Sequence, residues 1–254
     1  MNKTLIVVPA RMGSSRFPGK PLKNILGKPM IEWVLRGISG NINLDADIVV
    51  ATCDHEIMEF TTSIGFKSIL TSSSHERASD RCAEALLNIE EAEGVKYEIV
   101  VMVQGDEPMV KSEMILEAIQ PLIEDSSIQV SNLMGVIQSA TEFEDRNCIK
   151  VVCDLNSDAL FFSREPIPSK SKQSNVPMRK QVCVIPFRKD YLIKYTKMKP
   201  TPLEVIESID MLRIIESGQK VRMVPTNFES YSVDTFDDLL RVEKIMSNNF
   251  GYLR

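Results

Sequence analysis

The sequence is poor in the residues of metal and redox chemistry. It has two histidines, His55 and His75, and five cysteines, Cys53, Cys82, Cys148, Cys153 and Cys183, dispersed with no C-x-x-C pair. Zinc sites draw on clustered Cys and His ligands at short spacings, so none is expected. An odd, scattered set of cysteines is no disulfide framework either. They read as reduced small hydrophobes, mostly buried, and a reduced set predicts the cytoplasm. There is no apolar run near the roughly 20 residues that span a bilayer, so no membrane insertion is expected. The apolar part of residues 1–9 is too short for a signal peptide and lacks a small-residue cleavage site. Net positive charge is absent as well: 30 Lys and Arg against 35 Asp and Glu leave −5. Nucleic-acid-binding surfaces are usually strongly basic, so no nucleic-acid partner is expected. Any polyanion must be held in a local basic pocket. No internal repeat is present.

What remains is an ordinary globular balance, 43% apolar and 26% charged over 254 residues, enough to bury a large core without staples. The length fits a single domain, 1–254, with a small appendage. Residues 4–9 form a β-branched, apolar run of the kind that becomes a buried parallel strand. A polar loop, 10–28, follows, and 29–39 places Ile31, Val34, Leu35 and Ile38 on one helical face. Strands at 47–52, 68–71 and 98–103 then alternate with helices at 54–64 and 81–93, with a second polar loop at 72–80. The last of these strands runs into Gln104-Gly105-Asp106-Glu107-Pro108. Such alternation predicts an α/β fold with a mostly parallel sheet covered by helices on both faces. Ligands of such sheets bind beyond the carboxyl ends of the strands, where both polar loops and the 104–108 turn lie.

From about residue 149 the pattern changes. Strands are expected at 150–154, 159–163 and 181–186, and the Pro-, Ser- and Lys-rich stretch 165–180 reads as an exposed, mobile loop. The region 150–200 therefore reads as a small β-rich insertion and an oligomer contact. Residues 202–217 are expected to form one helix, with Leu203, Ile206, Ile209 and Leu212 or Arg213 in step and Gly218 ending it. A strand at 221–224 and a helix over 233–246, opened by Asp234-Thr235, complete the chain.

Chemistry concentrates in Ala10-Arg11-Met12-Gly13-Ser14-Ser15-Arg16-Phe17-Pro18-Gly19-Lys20-Pro21-Leu22. Arg11, Arg16 and Lys20 surround Gly and Ser residues directly after a strand. Glycine lets backbone approach a phosphate, and N–H groups with the cations offset its charge. A Walker A loop has four residues between its glycines and Ser or Thr after its Lys. Here five separate Gly13 from Gly19, and Pro21 follows Lys20, so this is a different loop. Composition alone leaves a solvated basic loop equally open.

The pattern A-R-x-x-S-x-R-x-P-G-K-P-L resembles the signature of the sugar-acid cytidylyltransferases, above all the 3-deoxy-manno-octulosonate (Kdo) cytidylyltransferases. Gly27-Lys28-Pro29-Met30-Ile31, Val103–Met109, Lys150–Asp154, Ala159–Arg164, Pro202-Leu203-Glu204 with Glu207 and Arg213, and Val233-Asp234-Thr235 extend the likeness along nearly the whole chain. The resemblance implies a Rossmann-like, nucleotide-diphospho-sugar transferase fold and a homodimer. It also implies a reaction in which CTP and a 2-keto sugar acid give a CMP-sugar and pyrophosphate, for lipopolysaccharide or capsule-type glycan synthesis. In-line displacement at the α-phosphate depends mainly on positioning and charge neutralisation. By the same resemblance Arg11, Arg16 and Lys20 would hold the triphosphate with Ala10 and Ser14 beside it, and His75, Ser79 and Arg81 would lie near the base. Arg11, Lys20, Asp106 and Asp234 would serve catalysis, and Asp106 and Asp234 would hold Mg²⁺. Each aspartate taken alone reads equally well as a turn or helix cap. Gln104, Arg164, Gln181, Ile185, Glu207 and Asp210 would line the sugar pocket. The Arg164 fork suits an acceptor carboxylate, and Glu207 and Asp210, three apart on one helical face, suit sugar hydroxyls.

Two segments depart from the family. Its H-x-G-x-Y-x-Y strand appears here as Gln181-Val182-Cys183-Val184-Ile185-Pro186-Phe187, with His, Gly and the middle Tyr replaced by Gln, Cys and Ile. Losing imidazole and hydroxyl groups removes partners for a polyol and predicts a less polar or differently substituted acceptor. Its H-Q-S-G-T-E-R loop appears as His75-Glu76-Arg77-Ala78-Ser79-Asp80-Arg81. Three readings follow: a cytidylyltransferase for Kdo or a modified Kdo such as an amino derivative, a nucleotidyltransferase for a different acceptor, and a nucleotide-binding protein without chemistry.

Overall fold

A computed structural model describes residues 3–14, 16–40, 44–169 and 177–248. Much of the predicted 165–180 loop, residues 170–176, thus lies outside the described residues.

The first sheet runs in the order β11-β6-β1-β4-β5, with β1 (Thr4–Ala10), β4 (Ala46–Thr52), β5 (Lys67–Leu70), β6 (Ile99–Val103) and β11 (Val184–Arg188). All pairings are parallel except that of β11 with β6. Two two-residue strands, β2 (Asn24–Ile25) and β3 (Lys28–Pro29), pair within the loop after β1. Side chains alternate across a strand, and β1 divides accordingly. Leu5 and Val7 join one core cluster, Ile6 and Val8 another. On the first face α3 (Ala78–Glu93) brings Cys82, Leu86 and Ile89, and α6 (Lys189–Thr196) brings Tyr191, Leu192 and Tyr195. The opposite face is covered by α1 (Met30–Ile38), α2 (His55–Ser63) and α4 (Ser112–Glu124). The doubly covered parallel sheet is therefore the one expected.

The second sheet, β12-β7-β10-β8-β9, is built from β7 (Ser131–Val136), β8 (Lys150–Cys153), β9 (Ala159–Ser163), β10 (Arg179–Val182) and β12 (Arg222–Pro225). The short α5 (Ala140–Glu144) joins β7 towards β8. Strands from 150–200 are thus shared between sheets: β8, β9 and β10 join β7 and β12, while β11 returns to the main sheet.

Two expectations need correction. The strand read over 181–186 is two strands in two sheets, broken at Cys183: Gln181 pairs with Met134, and Val184 pairs with Val103. The helix read over 202–217 is likewise two, α7 (Pro202–Glu207) and α8 (Met211–Glu216), separated by Ser208 at φ 53°. The cause is Arg164, whose Nε donates to the Glu207 carbonyl at 2.6 Å and whose guanidinium reaches the Ser208 carbonyl at 3.2 Å. Carbonyls captured by side chains no longer accept the i+4 bonds that would continue the helix. Ile206, though in helical step, lies exposed.

A third cluster seats the basic loop. Phe17, Ile25, Met30, Trp33, Met109, Val233, Leu239, Val242 and Met246 pack together, joining the loop, α1 and the last helix, α9 (Phe236–Asn248). Trp33 Nε1 donates to the Ile25 carbonyl at 2.7 Å, and Leu26 N to Glu243 on α9 at 2.9 Å. That packing carries Asp234, just before α9, towards the loop after β1.

Candidate active site

A cleft of about 390 Å³ opens beyond the carboxyl ends of β1, β5 and β6. It is lined by Ala10, Arg11, Ser14, Arg16, Lys20, His75, Arg81, Gln104, Asp106, Arg164, Gln181, Ile185, Asp210 and Asp234, among others. Residues from seven separate stretches of chain therefore meet where the strand pattern placed the ligand. Two of the expected residues stand back from it. Ser79 is fully buried and donates to Asp210 at 3.3 Å. Glu207 accepts from Ser163 Oγ at 2.9 Å and from Arg164 N at 2.8 Å, so its carboxylate braces β9. Because the helix breaks at Ser208, Glu207 and Asp210 do not share a helical face.

Local backbone sets the charged centre. Gly19 turns at φ 69°, in the left-handed region that favours glycine, and leads into the single turn Lys20–Leu22. Met12 N donates to Asp54 beyond β4 at 2.8 Å, fixing the start of the loop. Gly105 lets the Asp106 turn lie against β1: a Cβ there would sit 3.1 Å from the Pro9 carbonyl oxygen. Val233 N donates to the Asp106 carbonyl at 2.9 Å, which locks the two aspartate-bearing segments together. Asp238 then accepts from the Asp234 and Thr235 amides at 3.2 and 3.0 Å.

Within this frame Lys20 Nζ donates to Asp106 Oδ2 at 2.6 Å and to Asp234 Oδ1 at 3.3 Å. Arg16 reaches Asp234 Oδ1 at 2.9 Å and also pairs with Asn147. Burial works against the Lys20 charge, but the two carboxylates outweigh it and hold its ammonium above the ordinary lysine range. The second Asp106 oxygen, Oδ1, is buried and has no hydrogen-bond partner. Two carboxylates from distant parts of the chain, one with a free buried oxygen, suit a hard divalent cation completed by phosphate and water oxygens.

The neighbouring glutamate is a tie rather than a ligand. Glu107 accepts from Ser230 Oγ at 2.6 Å and from Cys183 N at 3.3 Å, stitching the 230 and 183 segments to the turn. Burial pushes its carboxyl up to about 7, against the Ser230 bond, which lowers it.

The far wall is apolar, with Met102, Ile149, Cys183, Ile185, Ile209 and Met211. Burial, with Glu107 and Asp106 adding to it, holds the Cys183 thiol well above its ordinary range, so it stays protonated. Of the five cysteines, all free, Cys82 alone is fully buried; the other four are half-buried, which corrects the expectation of a mostly buried set.

Sequence reasoning missed several lining groups. Arg77 was read only as a departure, yet it donates to Asp210 at 3.0 Å across the cleft. Burial pushes the Asp210 carboxyl up, and Arg77 acts against it. Asn147 lay in the unassigned stretch 109–148. Arg164 was found, but part of its fork is spent on the carbonyls of Arg146, Glu207 and Ser208. His75 pairs with Glu84, and Arg81, buried on α3, with Thr71.

Comparison with known proteins places this geometry. A family model described as Cytidylyltransferase matches residues 5–221. The 3-deoxy-manno-octulosonate cytidylyltransferase of Geobacter metallireducens is 38% identical, covering 96% of this chain and 98% of its own. That of Fusobacterium nucleatum is 36% identical, covering 97% and 98%. A solved structure of CMP:2-keto-3-deoxy-manno-octonic acid synthetase complexed with CTP superposes with a TM-score of 0.86 at 34% identity, over 97% of this chain and 99% of that one. Full-length likeness in sequence and in fold agrees with the cleft's chemistry, and the chain belongs to the 3-deoxy-manno-octulosonate cytidylyltransferase family.

Proposed function

We propose that the protein is a Mg²⁺-dependent cytidylyltransferase that couples CTP to Kdo or a modified Kdo, giving the CMP-sugar and pyrophosphate. The observation that carries this reading is the meeting of Arg11, Arg16 and Lys20 with Asp106 and Asp234 at the strand ends. The relatives' names supply the nucleotide and the acid.

In the reaction the anomeric hydroxyl oxygen bonds to the α-phosphorus, its proton leaving to solvent, as the bond to the bridging α–β oxygen breaks in line. Arg11, Arg16 and Lys20 bind the triphosphate and offset the charge that gathers on the leaving pyrophosphate. Asp106 and Asp234 would hold Mg²⁺, which supplies Lewis-acid charge stabilisation on phosphate oxygens when bound. Arg164, its fork anchored by carbonyls, orients the acceptor carboxylate. The cleft walls hold the two substrates in near-attack positions, the main source of rate in such displacements.

The apolar far wall favours a modified acceptor over fully hydroxylated Kdo, because a buried hydroxyl without a partner costs free energy. The test is pyrophosphate release with Mg²⁺, each of the four nucleoside triphosphates and a panel of 2-keto sugar acids. Turnover specific for CTP and Kdo or its variants supports the reading; turnover with another acceptor alone replaces it. Reduced cysteines, and no helix among the described residues long and apolar enough to cross a membrane, support a cytoplasmic site of action. Exposed Leu155 and Leu160, the latter on edge strand β9, support a homodimer through this sheet.

A further inference from the structure

We propose that Lys20 is the resident cation of the Asp106–Asp234 pair in the nucleotide-free protein, and that its transfer to the triphosphate couples nucleotide binding to metal binding. This rests on the reading of the two aspartates as the metal site.

Lys20 has two roles in prospect and one ammonium. The resemblance assigns it to the triphosphate, yet in the structure its Nζ bridges the two carboxylates at 2.6 and 3.3 Å. Arg16 completes the cluster through Asp234 at 2.9 Å. Two cations thus stand against two anions, and the centre is neutral before any ligand arrives. Without Lys20, two carboxylates held in one largely desolvated place by the Val233–Asp106 backbone bond would repel each other. Its ammonium therefore keeps the pair together.

Neutrality has a consequence for binding. A divalent cation arriving alone must displace Lys20 or sit beside it, so the nucleotide-free protein holds metal weakly. A triphosphate offers Lys20 and Arg16 new anionic partners and releases the carboxylates, with the unpartnered Asp106 Oδ1 already in place. Coupling of this kind is reciprocal: the nucleotide raises metal affinity by the factor by which metal raises nucleotide affinity.

The test is Mn²⁺ binding to the full chain without nucleotide, followed by electron paramagnetic resonance, with thermal unfolding of each variant as a check. Lys20→Met and Lys20→Gln are each expected to bind Mn²⁺ about tenfold tighter than wild type, whereas Arg16→Met, which frees one more exposed partner, gains less than about threefold. Adding Asp106→Asn to either Lys20 variant should abolish the gain. Unchanged affinity in both Lys20 variants would overturn the proposal, as would an equal gain in Arg16→Met, which would reduce the effect to net charge. A gain that survives Asp106→Asn would put the metal elsewhere and bring down the metal-site reading itself.

Discussion

Asp106 has one oxygen on Lys20 and one buried without a partner, an arrangement costly unless a ligand completes it. Replacing it with Asn keeps size and shape but removes the charge that Lys20 and a cation share. Asp106→Asn is expected to lower kcat by about 100-fold or more, the scale of a lost electrostatic contact in a transition state. The melting temperature should stay within a few degrees of wild type, since the side chain lines a cleft rather than a core. Near-wild-type turnover would remove Asp106 from the metal site. At this scale the sequence was informative because charged residues in a strand-end loop have few structural uses. It was silent on Arg77 and Asn147, whose partners Asp210 and Arg16 lie more than 130 positions away.

Among the elements, the one holding the acceptor side together is a single buried lysine. Lys150, at the start of β8, donates to the carbonyls of Asp145 at 2.8 Å, Cys148 at 2.7 Å and Arg164 at 2.6 Å. One ammonium thus folds the 145–148 turn, which carries Asn147, against the end of β9, which carries Arg164. Lys150→Met keeps the apolar stem and leaves the Cys148 and Arg164 carbonyls without that donor, while the Asp145 carbonyl keeps its bond from Cys148 N at 3.1 Å. It should cost about 2 kcal/mol of stability by urea unfolding, at about 1 kcal/mol or more for each abandoned carbonyl. A loss within about 0.5 kcal/mol, the range of an ordinary surface substitution, would contradict this role. The same region shows where sequence reading ends. The apolar run of β1 and the helical face Ile31, Val34, Leu35, Ile38 were legible because each is a local period facing one core. The break at Cys183 was not, since Val182 and Val184 on either side of it are equally apolar and only the partners of their strands, β7 and β6, differ. Nor was the break at Ser208, which depends on a guanidinium from a distant strand.

For the whole molecule, the shared strands bind cleft and second sheet into one frame: β11 closes the first sheet while β10, two residues earlier in the chain, belongs to the second. The β8–β9 edge carries apolar Leu155 and Leu160 outward. Large apolar side chains turned to solvent together mark contact surfaces, so this face is expected to be covered by a second copy. Sedimentation equilibrium should give a dimer mass, and Leu160→Lys should shift it towards monomer without changing the fold seen by circular dichroism. A wild-type monomer at micromolar concentration would refute the assignment of this edge.

The claim on which the rest depends is that this cleft transfers a cytidylyl group to a 2-keto sugar acid. Phosphorus NMR of wild-type protein with CTP, Mg²⁺ and Kdo tests it directly. The three CTP resonances should give way to one phosphodiester signal, from the CMP-sugar, and one pyrophosphate signal, in equal molar amounts and only when acid is present. CTP left intact with Kdo and with every modified Kdo offered, or consumed to CMP without the acid, would contradict it.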